Sequence, residues 1–386
     1  MKIAVIGAGA SGLFAAALLK SKNVDFVLYE REKRAGKKLI ATGNGRCNLT
    51  NTKIDISRYH GDTNFAEYAL GVFDNEKLVE YLEKMGIYCT YERDKVFPLS
   101  LQASSVVDML RLAQGKCEKC ECEVTGIKKT GKKFQIETKY GKETYDKVIV
   151  CCGGKSYKSL SGGGAYNLLT DLGHTLTPLS PAIVQLKCDG TKALEGIKVN
   201  ATVNLDKQKE DGEVLFTSYG LSGPPILQLS RDAKGKSIKL DLMPQFDFAQ
   251  ITHMLQKKAK IPYITLDNLF NGILNKKLGS EIIKKCGFSL SMQANELSLQ
   301  DFKKLVGEVK NMKFHIKDTL GFDNAQVTAG GISCNEFEPT SMESKKIKGL
   351  FAAGEMLNID GDCGGFNLQW AFSSAYVAVM SAIKEN

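Results

Sequence analysis

A glycine-rich turn near the start of the chain has the residue types that hold a phosphate group. Gly7, Gly9 and Gly12 form a GxGxxG pattern between an apolar run and an alanine-rich run. In such a turn the first glycine allows a tight bend, the second lets the backbone approach a pyrophosphate, and the third lets helix and strand pack closely. A helix that begins there offers free N–H groups to the phosphates. Glu30, which ends the next apolar run, fits the acidic residue that binds ribose hydroxyls, so the pattern favours dinucleotide binding over a plain glycine turn.

A second stretch with the composition of a binding loop is IATGNGRCNLTN, residues 40–51. It contains glycines, asparagines, an arginine and a cysteine, and almost nothing that could build a core. An NAD dehydrogenase normally follows its first nucleotide-binding unit with further βαβ repeats, whereas here a long polar loop follows. Glu30-Arg31 and then Gly36-Lys37-Lys38-Leu39 resemble FAD proteins, in which the loop after the second strand runs beside the cofactor. The sequence therefore favours FAD.

The elements that must position these residues form a βαβ unit. A buried strand is predicted at Lys2–Ile6, a helix at 11–20 and a second strand at 25–30. Further on, the pattern predicts helices at 75–85, 103–113 and 165–172, and strands at 121–127, 133–138 and 147–151. From about Pro181 the sequence pattern changes to short strands with alternating apolar and polar residues. A lysine- and leucine-rich helical part follows, and the glycine-rich pattern returns near Gly321.

These patterns predict an α/β fold with a Rossmann-like FAD-binding domain built from both chain ends. We assign residues 1–183 and 320–386 to that domain. Residues 184–319 form an inserted substrate module, which is β-rich and barrel-like at 184–248 and mainly helical at 249–319. The length of 386 residues suits such a two-part organisation.

The composition narrows the classes of protein. A hydrophobic fraction of 43% and a charged fraction of 25% are typical of a globular protein, and no apolar run approaches the roughly 20 residues of a membrane helix. The start has no basic flank, so we expect a cytoplasmic protein with no membrane partner. The net charge of +9 is read as a solvated basic surface, which makes a nucleic-acid partner the lesser alternative.

The eleven cysteines are expected to be mostly free thiols, as in a reducing compartment. Cys117, Cys120 and Cys122 form a CxxCxC pattern that could suggest zinc. A zinc site normally needs a second ligand pair, and none lies nearby in the sequence. We therefore predict no metal, and we interpret Cys120, Cys122 and Val124 as the core face of a strand.

Long blocks of the chain closely resemble one flavoprotein family. GKKLIATGNGRCNLTN, KVFP, VIVCCGGKSY, GEVLFTSYGLSGPPILQLSR and TSMESKKIKGLFAAGEMLNIDGDCGGFNLQWAFSSA match its blocks in order. The family includes BaiN-like reductases and aminoacetone oxidase-type proteins, which are NAD(P)- and FAD-dependent oxidoreductases. The resemblance covers nearly the whole chain and implies a two-dinucleotide-binding-type FAD domain with an inserted barrel and helical module.

The resemblance also implies which residues contact a non-covalently bound FAD. Arg46 would supply donors to the pyrophosphate or the flavin edge, Val124 would bind adenine through its backbone, and the helix after Gly365 would lie beneath the flavin pyrimidine edge. The full set of expected cofactor-binding residues is Gly7, Ala8, Gly9, Ala10, Ser11, Gly12, Glu30, Arg31, Lys38, Leu39, Gly45, Arg46, Cys47, Asn48, Val124, Cys152, Gly153, Gly154, Gly331, Gly354, Glu355, Gly365, Phe366, Asn367 and Leu368.

The catalytic acid or base is not identified by these patterns. Relatives often carry a histidine after LFT, where this chain has Ser218, and serine is a poor proton donor at neutral pH. Ser218 and Tyr219 are the weak candidates that remain.

The expected activity is FAD-dependent oxidation and reduction of a small-molecule substrate. The resemblance favours NAD(P)H-linked reduction, with an activated C=C bond as the candidate acceptor. With a single convincing GxGxxG, NAD(P)H would visit the flavin only transiently. The alternatives are an amine-type oxidase that returns electrons to O₂, an RNA-associated flavoprotein, and a structural protein with vestigial FAD. The sequence predicts neither the substrate nor the oligomeric state.

Overall fold

The computed structural model describes residues 1–384 and divides the chain into two compact units. The outer unit comprises Met1–Pro181 and the chain from Ala325 onward, and the inserted unit is Ala182–Asn324. Among the described residues, no helix combines the length and apolarity needed to cross a bilayer.

The strands, in chain order, are β1 Lys2–Ile6, β2 Asp25–Tyr29, β3 Thr50–Asn51, β4 Tyr59–Gly61, β5 Cys89–Glu92, β6 Lys95–Pro98, β7 Glu118–Lys119, β8 Val124–Thr130, β9 Lys133–Thr138, β10 Gly141–Tyr145, β11 Lys147–Val150, β12 Ser180–Ala182, β13 Leu186–Cys188, β14 Lys198–Leu205, β15 Gln208–Thr217, β16 Gly220–Ser222, β17 Ser237–Asp241, β18 Met312–Thr319, β19 Val327–Ala329, β20 Leu350–Ala352 and β21 Ile359–Gly361. The helices are α1 Ala10–Ser21, α2 Lys37–Ala41, α3 Thr63–Val72, α4 Asn75–Lys84, α5 Ala103–Ala113, α6 Lys158–Ser161, α7 Asn167–Thr170, α8 Pro224–Leu229, α9 Phe248–Ala259, α10 Leu266–Leu269, α11 Lys276–Lys285, α12 Leu299–Lys310 and α13 Phe366–Ala382.

A parallel sheet in the order β20-β11-β1-β2-β7 forms the centre of the outer unit. Because such a sheet is covered on both faces, its inner strands are mainly apolar without alternation, as in the KIAVI of β1. The C-terminal strand β20 pairs with β11, with Leu350 beside Val148. The predicted α/β Rossmann-like fold built from both chain ends is therefore confirmed.

Two helices that are apolar on nearly every side cover this sheet. α1 buries all of the residues from Ser11 to Leu19, and α13 packs against it with the Phe14 and Phe372 ring centres 5.1 Å apart. A helix that is apolar all round must be enclosed on all sides. The first and last helices of the outer unit thus form one core.

The inserted unit has a core of its own. Six strands close a barrel in the order β13-β16-β15-β14-β17-β18, and the Phe216 and Phe314 ring centres lie 5.9 Å apart within its core. Helices α9 to α12 follow β17 before the chain re-enters the barrel through β18. Capping boxes fix the starts of α9 at Asp247 and α12 at Ser298. The predicted barrel and helical insert is confirmed.

Two local predictions are wrong. The segment 121–127 is not one strand, because Glu121 has a left-handed φ of +55° and β8 begins only at Val124. The backbone N–H of Cys122 donates to Glu30 O at 2.9 Å instead of to a neighbouring ladder strand. Cys120 and Cys122 therefore lie in a turn. The helix expected at 165–172 is only the short α7.

The cysteines are free thiols in the structure. Within residues 1–384 there is no group of three or more His, Cys, Asp or Glu side chains that could hold a metal ion.

Candidate cofactor-binding site

The turn between β1 and α1 is held by close backbone approaches. Gly7 has a φ of +97°, and a Cβ atom there would lie 2.6 Å from Cys151 O. A Cβ atom at Gly12 would lie 1.8 Å from Gly7 O, so only glycine lets the helix sit this close to the turn. A Cβ atom at Gly9 would meet nothing within 4 Å. Two glycines are thus required by packing, and the third borders open space.

That open space faces the uncapped start of α1. Gly9 is the N-cap, no side chain caps the helix, and its first turn contains no acidic residue. The unpaired N–H groups and the positive end of the helix dipole can therefore bind an anion. Ser11 is buried against the Gly354 turn.

Glu30 holds this turn in place. Its carboxylate accepts hydrogen bonds from the backbone N–H of Ala8 at 2.8 Å and of Glu32 at 2.9 Å. Burial raises the pKa of Glu30, and the two backbone hydrogen bonds offset only part of that rise. The neighbouring Arg31 lies 3.6 Å from a carboxylate oxygen of Glu123.

An ion pair between distant parts of the chain forms a second centre. Lys38 Nζ lies 2.8 Å from Glu355 Oε2, and the Glu355 carboxylate also accepts from the Thr328 N–H at 2.8 Å, the Gly154 N–H at 3.2 Å and the Ser156 hydroxyl at 3.1 Å. Burial raises the pKa of Glu355, but the Lys38 charge and these hydrogen bonds outweigh burial, so the pKa lies below its usual value. Glu355 therefore stays ionised and joins four segments of the outer unit.

The stretch 40–51 is a tightly turned loop. Gly43, Asn44, Gly45 and Cys47 all have left-handed φ values, between +54° and +83°. The Cys47 side chain is fully buried, and burial raises its thiol pKa to about 12. Several left-handed residues in succession turn the chain tightly and prevent its peptide groups from joining the hydrogen-bonded ladder of a sheet.

Arg46 lies at the outer side of this loop. Its guanidinium forms an ion pair with Glu92 and stands 4.4 Å from the centre of the Phe97 ring. Asn48, by contrast, has a buried Oδ1 without a hydrogen-bond partner. Arg46 is thus paired with a carboxylate of the protein, whereas the amide oxygen of Asn48 has no hydrogen-bond donor.

The same loop meets the start of α13. Gly364 and Gly365 have φ values of +136° and +102°, and a Cβ atom on Gly365 would lie 2.4 Å from Thr50 O. Asn51 Nδ2 donates to Gly364 O at 2.9 Å. No side chain caps α13, and its first turn contains no acidic residue. The far ends of the sequence thus build a second uncapped helix N-terminus.

Three expected residues in α13 serve the helix start itself. Phe366 is buried against the edge of Tyr59, with ring centres 5.9 Å apart. The side-chain amide of Asn367 both donates to and accepts from the backbone of Gly361, at 2.7 and 2.8 Å. Leu368 is half-buried.

The remaining expected residues surround these centres or support them. A Cβ atom on Gly154 would lie 2.4 Å from Glu355 Oε1, whereas one on Gly331 would meet the Leu357 backbone at 2.7 Å. The thiol of Cys152 lies 3.5 Å from Ile6 O. The others, with their surroundings, are Ala8 and Ala10 at the first turn, Leu39 buried in α2, Val124 buried at the start of β8, Gly153 with a φ of +65°, and Gly354 with a φ of +78°.

The weak catalytic candidates belong to the other unit. Ser218 and Tyr219 lie in the turn between β15 and β16 of the barrel, and both are exposed.

Several polar residues of the site were not singled out from the sequence. Ser156 and Thr328 donate to Glu355, and Gln369 bonds to Thr50 Oγ1 at 2.5 Å and to Phe73 O at 3.0 Å. A polar residue inside the apolar run of α13 was a usable signal, because a buried amide needs partners.

These features fit a bound FAD. The N-termini of α1 and α13 are free to meet anionic groups, and the Gly9 surface leaves room for one. The buried Asn48 Oδ1 and the buried Tyr166 hydroxyl have no partners, which costs free energy unless a ligand supplies them. A Rossmann sheet completed by a C-terminal strand and helix suits an oxidoreductase that binds a dinucleotide cofactor.

Comparisons with known proteins agree with that class. The family model described as "HI0933-like protein Rossmann domain" matches residues 1–381, so the chain belongs to this family. It is 36% identical to the 3-dehydro-bile acid delta(4,6)-reductase of Clostridium scindens, over 99% of this chain and 98% of that one. It is 27% identical to the ribosomal RNA dihydrouridine synthase of Escherichia coli, over 98% and 97%. Among solved structures, a flavocytochrome c3 fumarate reductase matches 99% of this chain and 78% of its own, at 12% identity and a TM-score of 0.51, a likeness of fold alone.

Proposed function

We propose that this protein is an FAD-dependent reductase that takes electrons from NAD(P)H and saturates a C=C bond conjugated to a carbonyl group in a small organic substrate. The relatives support the reaction type. One is named as a delta(4,6)-reductase of a bile acid and the other as a dihydrouridine synthase, and both names describe addition of hydrogen across such a bond. The two share this chemistry although their substrates differ.

The observation that carries the proposal is the start of α13. Its backbone N–H groups lack a side-chain cap, and Thr50 and Asn51 fix Gly364 and Gly365 against it. Bound FAD supplies the two-electron hydride chemistry. The positive end of α13 would stabilise negative charge that develops on a reduced flavin, which favours hydride acceptance.

We further propose how the chain's residues hold the cofactor. The Gly7–Gly12 turn and α1 bind the pyrophosphate, Glu30 orders that turn, and the unpaired Asn48 amide oxygen accepts a hydrogen bond from the cofactor. Lys38 and Glu355 are committed to each other, so their role is to fix the surrounding loops. With one such turn, NAD(P)H binds only transiently beside the flavin.

The test is anaerobic and stepwise. Purified protein should show a flavin spectrum, NADH or NADPH should bleach it, and 2-cyclohexenone or a 3-oxo-4-ene steroid should restore the colour. A protein that stays colourless after added FAD contradicts the cofactor assignment. Bleaching by an amine, with recovery by O₂ alone, contradicts the reductase and supports an oxidase.

A second candidate substrate is a uridine within RNA. The net charge of +9, with ten lysines against five acidic residues between positions 249 and 312, favours a polyanionic partner, and the 27% relative is named for ribosomal RNA. The reduced enzyme would then be reoxidised by a uridine-containing RNA, whose mass would rise by two hydrogens. Reoxidation by the steroid but not by RNA decides against this candidate.

A further inference from the structure

The turn between α9 and α10 exposes an aromatic ring that contributes nothing to the core. Tyr263 is 94% exposed, the largest exposure among the large hydrophobic side chains of the described chain, and Ile261 beside it is 53% exposed. Tyr263 also has a left-handed φ of +58°, which is unfavourable for a residue with a Cβ atom. A residue with a strained backbone and an exposed side chain contributes little to the stability of the fold, which favours a role in binding.

The backbone holds this turn in a defined position. The Ile261 N–H donates to Lys258 O at 3.0 Å, which continues the end of α9, and the Ile264 N–H donates to Ile261 O at 3.3 Å. On the far side, the Ala294 N–H donates to Ile264 O at 2.9 Å. The Tyr263 ring is therefore presented on an anchored turn of the inserted unit.

Lysines at the C-terminal end of α9 precede Tyr263 along the chain. Lys257 and Lys260 are exposed, and no carboxylate of residues 1–384 forms an ion pair with either. The Lys258 ammonium donates to Asn271 O. The nearest acidic residue along the chain, Asp267, is neutralised by Lys276 at 3.0 Å. The turn thus carries unbalanced positive charge.

We infer that this turn, with Tyr263, Lys257 and Lys260, is a binding surface for single-stranded RNA. Exposed aromatic rings stack on unpaired bases, and adjacent lysines contact the phosphates. Both parts are present here within a few residues, and the positive charge complements a polyanion. The inference rests on the second candidate in the proposed function, because it supplies the surface that an RNA substrate would need.

The test measures binding of a fluorescein-labelled, 12-nucleotide single-stranded oligouridine to the full-length, FAD-loaded protein by anisotropy, at 50 to 200 mM salt. Tyr263→Ala should weaken binding about tenfold, within the range that loss of one base-stacking contact gives. Tyr263→Trp should restore it. Lys257→Ala with Lys260→Ala should lower the slope of log affinity against log salt by about 1.4, or ~0.7 per lost phosphate contact.

Two control variants match these changes. Tyr88→Ala removes a tyrosine that is 64% exposed in the outer unit, and Lys236→Ala removes an exposed lysine of the inserted unit that pairs with Asp206 at 2.9 Å. Neither should change the affinity for RNA. Circular dichroism of each variant checks that folding is intact.

Three results would overturn the inference. The first is an equal affinity of the wild type and Tyr263→Ala for the RNA, and the second is tighter binding of the duplex form of the same RNA. The third is that Tyr263→Ala loses binding to anionic phosphatidylserine vesicles while its binding to RNA is unchanged. Absence of any RNA binding by the wild type also overturns it, while reduction of cyclohexenone would leave the reductase proposal intact. Conversely, Tyr263-dependent RNA binding without any C=C reduction supports the surface and contradicts the proposed reaction.

Discussion

At the scale of single residues, Glu355 shows how one carboxylate can organise a site. It accepts hydrogen bonds from Lys38, from Gly154 and Ser156 in one loop, and from Thr328, so the donors come from three separate segments of the outer unit. Charged groups removed from water must be paired to remain stable. Loss of one partner should therefore loosen several loops together.

We expect Lys38→Met to lower the free energy of unfolding of the apoprotein by about 1–3 kcal/mol at pH 7. The folded-state pKa of Glu355 lies below its ordinary value of 4.5, so this stabilisation is present above pH 4.5 and is lost as the pH falls through the folded pKa. The difference between wild type and variant should thus shrink below pH 4.5, as measured by urea unfolding across the pH range. Lys37→Met, whose partner Glu32 lies 2.6 Å away in a more exposed pair, is the control and should change stability by less than ~0.5 kcal/mol. A pH-independent loss in Lys38→Met would rule out the ion pair as its cause.

Thiol reactivity should follow burial. Burial raises the pKa of Cys47 and of Cys151 to about 12, whereas Cys117 is exposed. Since the thiolate is the reactive form, iodoacetamide at pH 8 should label Cys117 and leave Cys47 and Cys151 unlabelled until urea is added. Peptide mass spectrometry reads the sites, and native labelling of Cys47 as fast as that of Cys117 would contradict this assignment.

The resemblance implies which residues line the expected site, but it does not imply their partners in the folded chain. Lys38 and Glu355 were expected near a cofactor from the resemblance, yet they are 317 residues apart, and only the folded chain brings their side chains together. The resemblance implies that Arg46 contacts the cofactor, and in the structure its guanidinium also forms an ion pair with Glu92, which no local pattern predicts. Local pattern contains no information on such distant pairs.

At the scale of elements, the turn between β1 and α1 contains one glycine that packing requires and another that borders the open space where a ligand can bind. A Cβ atom on Gly12 collides with Gly7 O, whereas one on Gly9, whose φ is −82°, meets nothing. A glycine-to-alanine substitution therefore tests ligand binding at Gly9 and packing at Gly12.

Gly9→Ala should leave the unfolding temperature of the apoprotein nearly unchanged and should weaken FAD binding, because the added methyl group enters only the open space beside α1. Gly12→Ala should lower stability by about 3 kcal/mol or more, since backbone atoms must move. Thermal melts of the apoprotein and titration with FAD measure the two effects. An unaltered FAD affinity in Gly9→Ala would remove this turn from the binding site.

Apolar periodicity predicted the positions of those strands and helices of the outer unit that have long hydrogen-bonded ladders or a clear apolar face. The prediction was wrong at 121–127 because the backbone of Glu121 and Cys122 donates to Glu32 O and Glu30 O. Those bonds replace the start of a strand with a turn, and a period-two pattern cannot reveal where backbone hydrogen bonds go.

At the scale of the whole molecule, the inserted unit is organised as an independent domain. Its barrel is closed, so it leaves no open sheet edge within the barrel, and its helices share its core. Residues 182–324 expressed alone should therefore unfold in one cooperative thermal transition with a near-ultraviolet circular dichroism signal. A gradual melt without that signal would show that the unit needs the outer chain to fold.

The position of β20 and α13 at the end of the sequence has a consequence for synthesis on the ribosome. The central sheet lacks an edge strand, and α1 lacks its main helical neighbour, until Leu350 and then Phe366–Ala382 have emerged. The inserted unit is complete before then, because its last strand, β18, ends at Thr319. The nascent chain thus completes the inserted unit first, and β1, β2 and α1 wait in an unfinished sheet until β20 has emerged.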